Sequence, residues 1–364
     1  MEITTIGQAF KLKSGTQLSA KNMQKGIYPV FGGNGINGYH NEYIFEEPMI
    51  VIGRVGAYCG NVHRTKHKSW ITDNALYIDK HLLEYDDDYL IYLLRNLKLN
   101  QYASQSGQPL ISFGRIKDVK IPFPPLPDQK RIAAILDEAD KLRQLDKQLL
   151  EKYYKLAQSL FLDMFGDPVV NPKGWEKKKL NDLGKIQTGN TPPRAKKENY
   201  GTFIEWIKTN NINTPFDYLT TAEEFLSKEG LTKGRLAHSG SILVTCIAGS
   251  KSVIGNAAIA NRDVTFNQQI NAISPNNDNV KFLYHQFKNA KGYIQTFSTN
   301  SMKGMINKTA FGSINFIVPP IELQNQFAER IAAIEAQKAQ VQTTLANSNN
   351  LFDSLLQKAF KGAL

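Results

Sequence analysis

A chain of 364 residues with 41% apolar side chains is ample for two globular domains with ordinary cores. Its start, MEITTIGQAF, lacks a basic segment followed by an apolar run, and no stretch of about 18 uncharged apolar residues occurs, which argues against export and membrane insertion. Two cysteines, Cys59 and Cys246, are too few for a disulfide framework and form no metal-ligand cluster with the six histidines, so reduced thiols in a cytoplasmic protein are expected, while the formal charge of +11 is the footprint of a phosphate-bearing partner.

Residues 1–124 carry 14 basic and 11 acidic side chains. Short β-branched and aromatic runs broken by Gly and Asn read as strands and turns, with one late helix, DDDYLIYLLRNL, capped by Asp. GNGING at Gly33–Gly38 formally matches a dinucleotide fingerprint, but the following YHNEYIFEEP reads as extended chain and not as the helix that a pyrophosphate requires. A turn with positive-φ residues is the expected role. Basic and amide side chains gather in Gly-rich segments: Asn34, Arg54, Asn61, Arg64, Lys66, Lys68 and Gln105, with Asn74 and Gln108 nearby.

Pro124-Pro125 then stops any strand, and residues 125–167 read as one long helix. Its apolar positions are Ile132, Ile135, Leu136, Ala139, Leu142, Leu145, Leu149, Tyr153, Leu156, Leu160 and Met164, in steps of mostly three and four. The breakers Gly166, Pro168, Pro172 and Gly174 end it. Residues 168–318 form a second β-rich domain with 19 basic and 10 acidic side chains. Its clusters are Arg194, Lys196 and Lys197; Lys208, Asn210 and Asn211; Lys251; Gln268 and Gln269; and Lys303 with Lys308. Arg and Lys suit phosphates and guanine edges, and Asn and Gln suit adenine edges, so these sets are candidates for a DNA-facing surface. Residues 319–364 are a second long helix, with Phe327, Ile331, Ile334, Val341, Leu345, Phe352, Leu355 and Ala359 at heptad a and d positions, interrupted by Lys338 and Ser348.

The second half repeats the first. PFPPLPDQKRIAAIL and IVPPIELQNQFAERI align at a shift of 195 residues, which persists to LAQSLFLDMF against LFDSLLQKAF and places Lys338 opposite Arg143. Upstream, MIVIGRVGAYCGNV answers ILVTCIAGSKSVIGNAAI, and ISFGRI answers TAFGSI, in the same order. The fold class expected is α+β: two β-rich domains, each followed by a long helix. A helix of about 38 residues is roughly 57 Å long, and one with a single apolar stripe needs a partner. The other copy can supply it, and the approximate two-fold symmetry of a duplication makes the pairing an antiparallel coiled coil.

Catalytic patterns are missing from the sequence: it has no phosphate loop, no H-E-x-x-H, no G-x-S-x-G and no Asp/Asn-Pro-Pro-aromatic motif of an adenine methyltransferase. Glu205 in EWIK lacks an upstream acidic partner for a nuclease, so a structural role is expected. The residues alone leave two classes open, a nucleic-acid-binding scaffold and a coiled-coil protein–protein adaptor with two β-rich ligand-binding domains.

YPVFGGNGINGYHN, TGNTPPRAKKENYGTFIEWIK, and Pro-Pro-x-x-x-Gln leading into a helix that ends SLFLDMFGD closely resemble the specificity subunit of type I restriction-modification systems. The resemblance covers nearly the whole chain, including its duplication. It implies two target recognition domains, each reading half of a split double-stranded DNA site, and two helices whose antiparallel coiled coil fixes the unread spacer. It implies two modification subunits that methylate adenine N6 from S-adenosylmethionine, and two restriction subunits using ATP and Mg, with no cofactor, metal or catalysis in the chain itself.

Overall fold

The computed structural model describes residues 2–104, 107–299 and 304–364. It is a mixed α and β structure that divides into two compact units, residues 1–147 with 342–364 and residues 148–341. The divide falls inside each of two long helices, Leu126–Phe165 and Ile321–Lys361.

In the first unit a four-stranded antiparallel sheet runs in the order Phe10–Ser14, Ala75–His81, Ile50–Gly53, Val62–Arg64. The run Ile50-Val51-Ile52 is buried on both faces because the strand's two-residue period divides it between two cores. Ile50 and Ile52 join a large cluster with the helix Asp87–Asn96, and Val51 joins Phe31, Ile71 and Ala75. A smaller sheet orders Gly35–His40, Tyr28–Gly32 and Trp70–Ile71, the last two strands being parallel. Ile3–Thr5 pairs with Lys120–Pro122 to bring the chain back to the long helix.

The second unit repeats the plan. Its four-stranded sheet runs Gly184–Thr188, Ile270–Pro275, Ile242–Thr245, Ala257–Ile259. In both units the order is therefore first, last, second, third. Ile242 and Val244 enter one core and Leu243 another, the same alternation as at Ile50–Ile52. Tyr200–Ile207 pairs in parallel with Val264–Phe266, as Tyr28–Gly32 does with Trp70–Ile71. Lys177–Lys179 with Asn315–Ile317 closes the unit as Ile3–Thr5 with Lys120–Pro122 closes the first.

The repeated Pro-Pro-x-x-x-Gln has one structural purpose in each unit. Gln129 and Gln324 are buried polar residues. Gln129 Nε2 donates to Pro124 O (2.8 Å), and its Oε1 accepts the Asp86 N–H (3.0 Å). Gln324 Nε2 donates to Pro319 O (2.9 Å), and its Oε1 accepts the Asn279 N–H (2.9 Å). Asp86 and Asn279 are the N-caps of Asp87–Asn96 and Val280–Asn289, and their carboxylate or amide oxygens accept backbone N–H groups of the first turn. One glutamine thus ties the domain's helix to the start of the long helix and satisfies two groups whose burial unpaired would be costly.

The stripe on the second long helix is internal as its spacing predicts: Phe327, Ile331, Val341, Phe352 and Ala359 are buried, and so is Lys338. The first long helix differs. Its ends are buried through Ile132, Leu136, Ala139, Phe161 and Phe165, but Leu142, Leu145, Leu149 and Leu156 of the expected stripe are exposed. The half-buried positions there are Arg143, Asp146, Leu150, Tyr153 and Tyr154. The middle of this helix carries an apolar leucine stripe beside a mixed face, and its packing uses the mixed one, which includes Arg143 and Asp146. Within the first unit Arg131 Nη2 donates to Leu364 O (3.2 Å), the Arg143 guanidinium lies over the Phe352 ring (3.7 Å), and Ser348 Oγ donates to Asp146 (2.7 Å). Within the second, Phe161 packs edge-on to Phe327, and the Lys338 ammonium lies over Tyr154 (4.2 Å). Among the described residues no helix is long and apolar enough to cross a membrane.

Candidate nucleic-acid interface

In the first unit the loops that leave the two sheets close on one another at the Gly53 end. A Cβ at Gly53 would lie 2.3 Å from the Gly33 carbonyl oxygen and 2.5 Å from that of Tyr58, so glycine is required for the hairpin turn and the following loop to approach. GNGING is that hairpin: Gly32 faces Gly35, whose φ is +88°. Arg54 binds this edge together, its Nη1 donating to Ser14 Oγ and Asp73 O (both 3.1 Å) and its backbone N–H to Asn74 O (2.9 Å). Asn61 Nδ2 donates to Asn34 Oδ1 (3.1 Å). That bond leaves the Asn34 amide NH2 and the Asn61 carbonyl oxygen without a partner among the described residues, on two exposed side chains. A donor and an acceptor side by side is the complement of an adenine edge. Gln108 Nε2 sits 3.4 Å from where a Cβ on Gly56 would be, on the same edge.

Arg64, Lys66 and Lys68 are not part of this cluster. Ile50 pairs with Arg64 and Ile52 with Val62, so Arg64 stands at the end of the strand pair opposite to Gly53. Its guanidinium contacts Asp88 (2.8 Å) and Asp87 (3.5 Å) in the first turn of the helix, where those carboxylates also complement the helix dipole. Lys68, at φ +53°, pairs with Glu46 (3.6 Å) and lies over Tyr43 (5.6 Å), and Lys66 is exposed. Gln105 lies outside the described residues.

The equivalent edge of the second unit is assembled around Trp206. Gly189 permits a close turn, since a Cβ there would lie 2.2 Å from Asn267 O. Thr191 Oγ1 then donates to Gln268 Oε1, and Asn190 O accepts the Trp206 indole N–H (3.2 Å). The Arg194 guanidinium lies over Tyr200 (4.7 Å) and Trp206 (4.9 Å), and the Lys208 ammonium over Trp206 (5.3 Å). Glu224 accepts from both cations, which hold its carboxyl below the usual range, Arg194 more than Lys208. Asn210 is exposed in the single turn Thr209–Asn211 directly after Lys208, whereas Asn211 is buried and caps that turn. Lys196 and Lys197 are exposed beside Arg194. Lys251 and Lys308 are exposed near the ribbon Ile247–Ala248 with Gly304–Met305, and Lys303 lies outside the described residues.

Spacing in the sequence missed two cations. Arg95 and Lys98 line a cleft with Asn61 although they follow it by more than thirty residues, at the end of the helix Asp87–Asn96. Glu205 has the structural role expected of it: it accepts from the Arg262 guanidinium and the Ala222 N–H (2.8 Å), which lower its pKa, Arg262 most. Among the described residues no cluster of three or more His, Cys, Asp or Glu could hold a metal ion.

Residues 1–152 and 172–348 match the family model described as the type I restriction modification DNA specificity domain. The EcoprrI specificity subunit of Escherichia coli is 38% identical over 143 residues, covering 38% of this chain and 35% of that protein. The HindI specificity subunit of Haemophilus influenzae is 28% identical over 205 residues, covering 53% of this chain and 42% of that protein. These matches thus span well under two thirds of the relatives' own length. The crystal structure of a type I restriction-modification S subunit from M. genitalium shares the fold, with a TM-score of 0.64 at 18% identity over 99% of this chain and 96% of that one. With the model matched once in each copy of the repeat, the chain belongs to the type I restriction modification DNA specificity domain family.

Proposed function

We propose that this chain is the DNA-reading subunit of a type I restriction-modification complex and carries out no chemistry itself. The domain of residues 1–124 reads one half of a split duplex site and the domain of residues 168–318 reads the other. The helices of residues 125–167 and 319–364 pair as an antiparallel coiled coil that sets the unread spacer. The observation that carries this reading is the duplication: the same strand order twice, each copy ending in an edge of Asn, Gln, Arg and Lys side chains, and each joined to a long helix by the same buried glutamine. The antiparallel sense is supported by contacts that run in opposite order along the two helices, Arg131 with Leu364 and Asp146 with Ser348.

Phosphate contacts from Lys and Arg give most of the affinity and its salt dependence, and the amide edges give sequence. Two modification subunits bring S-adenosylmethionine and methylate adenine N6, restriction subunits bring ATP and Mg, and the assembly acts in the cytoplasm. The exposed leucines of the first long helix, Leu142, Leu145, Leu149 and Leu156, are a surface suited to such a partner. The test is sequencing of host DNA for N6-methyladenine with and without this gene. Loss of methylation at one split motif is expected. An unchanged pattern, with a purified complex that ignores duplex DNA at low salt, would sink the proposal.

A further inference from the structure

Beside the amide pair of Asn34 and Asn61 lies a cleft of about 480 Å³, room for a tetrahedral anion and several waters. Its walls come from two segments that only a glycine lets meet. Gly60 has φ +88°, and a Cβ on it would lie 2.5 Å from the Asn100 backbone nitrogen. The other wall begins where Lys98, itself left-handed at φ +46° and ψ +59°, turns the chain out of the helix Asp87–Asn96 and into Leu99–Tyr102. A non-glycine residue in that conformation is uncommon, and here it sets the side chains of Arg95 and Lys98 on the same cleft.

The cleft is lined by Cys59, Asn61, His63, Arg95, Lys98 and Asn100 among others, and among the described residues by no carboxylate. Arg95 Nε donates to Val62 O (3.2 Å), which orients the guanidinium, and its terminal nitrogens have no partner among the described residues. Neither Arg95 nor Lys98 has an ion pair among the described residues. Arg64, Lys68, Arg194 and Lys208 are each held by an acid. His63 also lines the cleft, with its Nε2 buried and without a hydrogen-bond partner among the described residues. Its ring also lies against the hairpin turn, 3.5 Å from where a Cβ on Gly35 would be. The end of a helix opposes an anion with about half a unit of charge, but two full side-chain charges outweigh it. Asn61 lines the cleft and bonds Asn34, so an occupant sits next to the proposed base-reading amides.

We infer that Arg95 and Lys98 form a phosphodiester site, holding one backbone phosphate of the duplex beside the bases that meet Asn34 and Asn61. This rests on the DNA-reading function proposed above and adds to it the residues that fix the first domain's register on the strand.

The test is equilibrium binding of the full chain, purified with its co-encoded partners, to its mapped duplex and to an unrelated one over a series of salt concentrations. Lys98 is exposed, so Lys98→Gln leaves the fold intact, and Arg95→Gln is compared with Arg95→Lys because of the Val62 contact. Each Gln variant should weaken binding to both duplexes by the same factor and lower the slope of log K against log salt by about 0.9, while Lys98→Arg keeps it. A methylphosphonate scan of the first half-site should find one position whose neutralisation weakens the wild type more than it weakens Lys98→Gln or Arg95→Gln. Unchanged slopes in folded variants overturn this site alone. Absence of salt-dependent duplex binding by the wild type overturns the site and the DNA-reading function together.

Discussion

His285 is buried in the helix Val280–Asn289, edge-on to Phe327 at 5.3 Å, and its Nε2 has no partner among the described residues. Burial, reinforced mainly by Lys288, lowers its pKa to about 3. The folded state therefore refuses a proton that the unfolded chain accepts below about pH 6.5, so stability is full above that pH and falls as pH drops toward 3. Between pH 7 and pH 5 this one side chain should remove about 2 kcal/mol from the stability of the second unit. His285→Leu should flatten that part of the pH profile, measured as the difference between wild-type and variant urea midpoints at the two pH values. An unchanged difference would mean that His285 is reached by solvent. The same unit keeps a charged carboxylate inside: burial alone would raise the Asp217 pKa, but Lys288 and Lys338 outweigh it and hold it well below the carboxylate range. Single residues of this kind were the least legible in the sequence. Gln129 and Gln324 stood out because they repeat, yet their purpose depends on Asp86 and Asn279, 43 and 45 residues upstream. No local pattern reports a partner at that distance. Arg95 and Lys98 were missed for the same reason.

The long helices were legible as elements because periodicity and the Pro-Pro start are local signals. The correspondence of Arg143 and Lys338 also has a structural meaning, since each lies over an aromatic ring of the other long helix, Phe352 and Tyr154. Periodicity fails where packing takes a mixed face beside the apolar one. Leu142, Leu145, Leu149 and Leu156 make a regular stripe, but packing uses the neighbouring face with Arg143 and Asp146, whose polar atoms find Asp140 and Ser348. This separates stability from assembly. Replacing Leu145 and Leu149 together with Ala should change stability by no more than about 0.5 kcal/mol per site, because exposed side chains lose little on truncation. Phe161→Ala should cost about 3–5 kcal/mol. If the leucines serve a modification subunit, the double variant unfolds like the wild type but no longer copurifies with that partner. Copurification at wild-type yield would remove the leucine face from the proposed interface.

At the scale of the molecule the repeat was legible, whereas the sheet order was not, because strands such as Phe10–Ser14 and Ala75–His81 pair across more than sixty residues. The basic excess also had a limited meaning: several of the candidate cations are spent on Glu46, Asp87, Asp88 and Glu224 within the chain, so net charge overstates what remains for a ligand. The proposed pairing of the two helices imposes one separation on the two reading domains, and DNA converts separation into both distance and angle. One added base pair between the half-sites moves the second by about 3.4 Å and turns it by about 36°. Flexible tethers would absorb both, and paired helices would absorb neither. Competition binding with duplexes whose unread spacer is one base pair shorter or longer than the mapped site should therefore lose at least tenfold in affinity, with the half-sites unchanged. The loss should exceed that from a single wrong base, because it removes a whole half-site's phosphate and base contacts at once. Equal affinity across the three spacers would mean that the domains are tethered independently, and the antiparallel pairing would have to be given up while the identity of the reading domains stood.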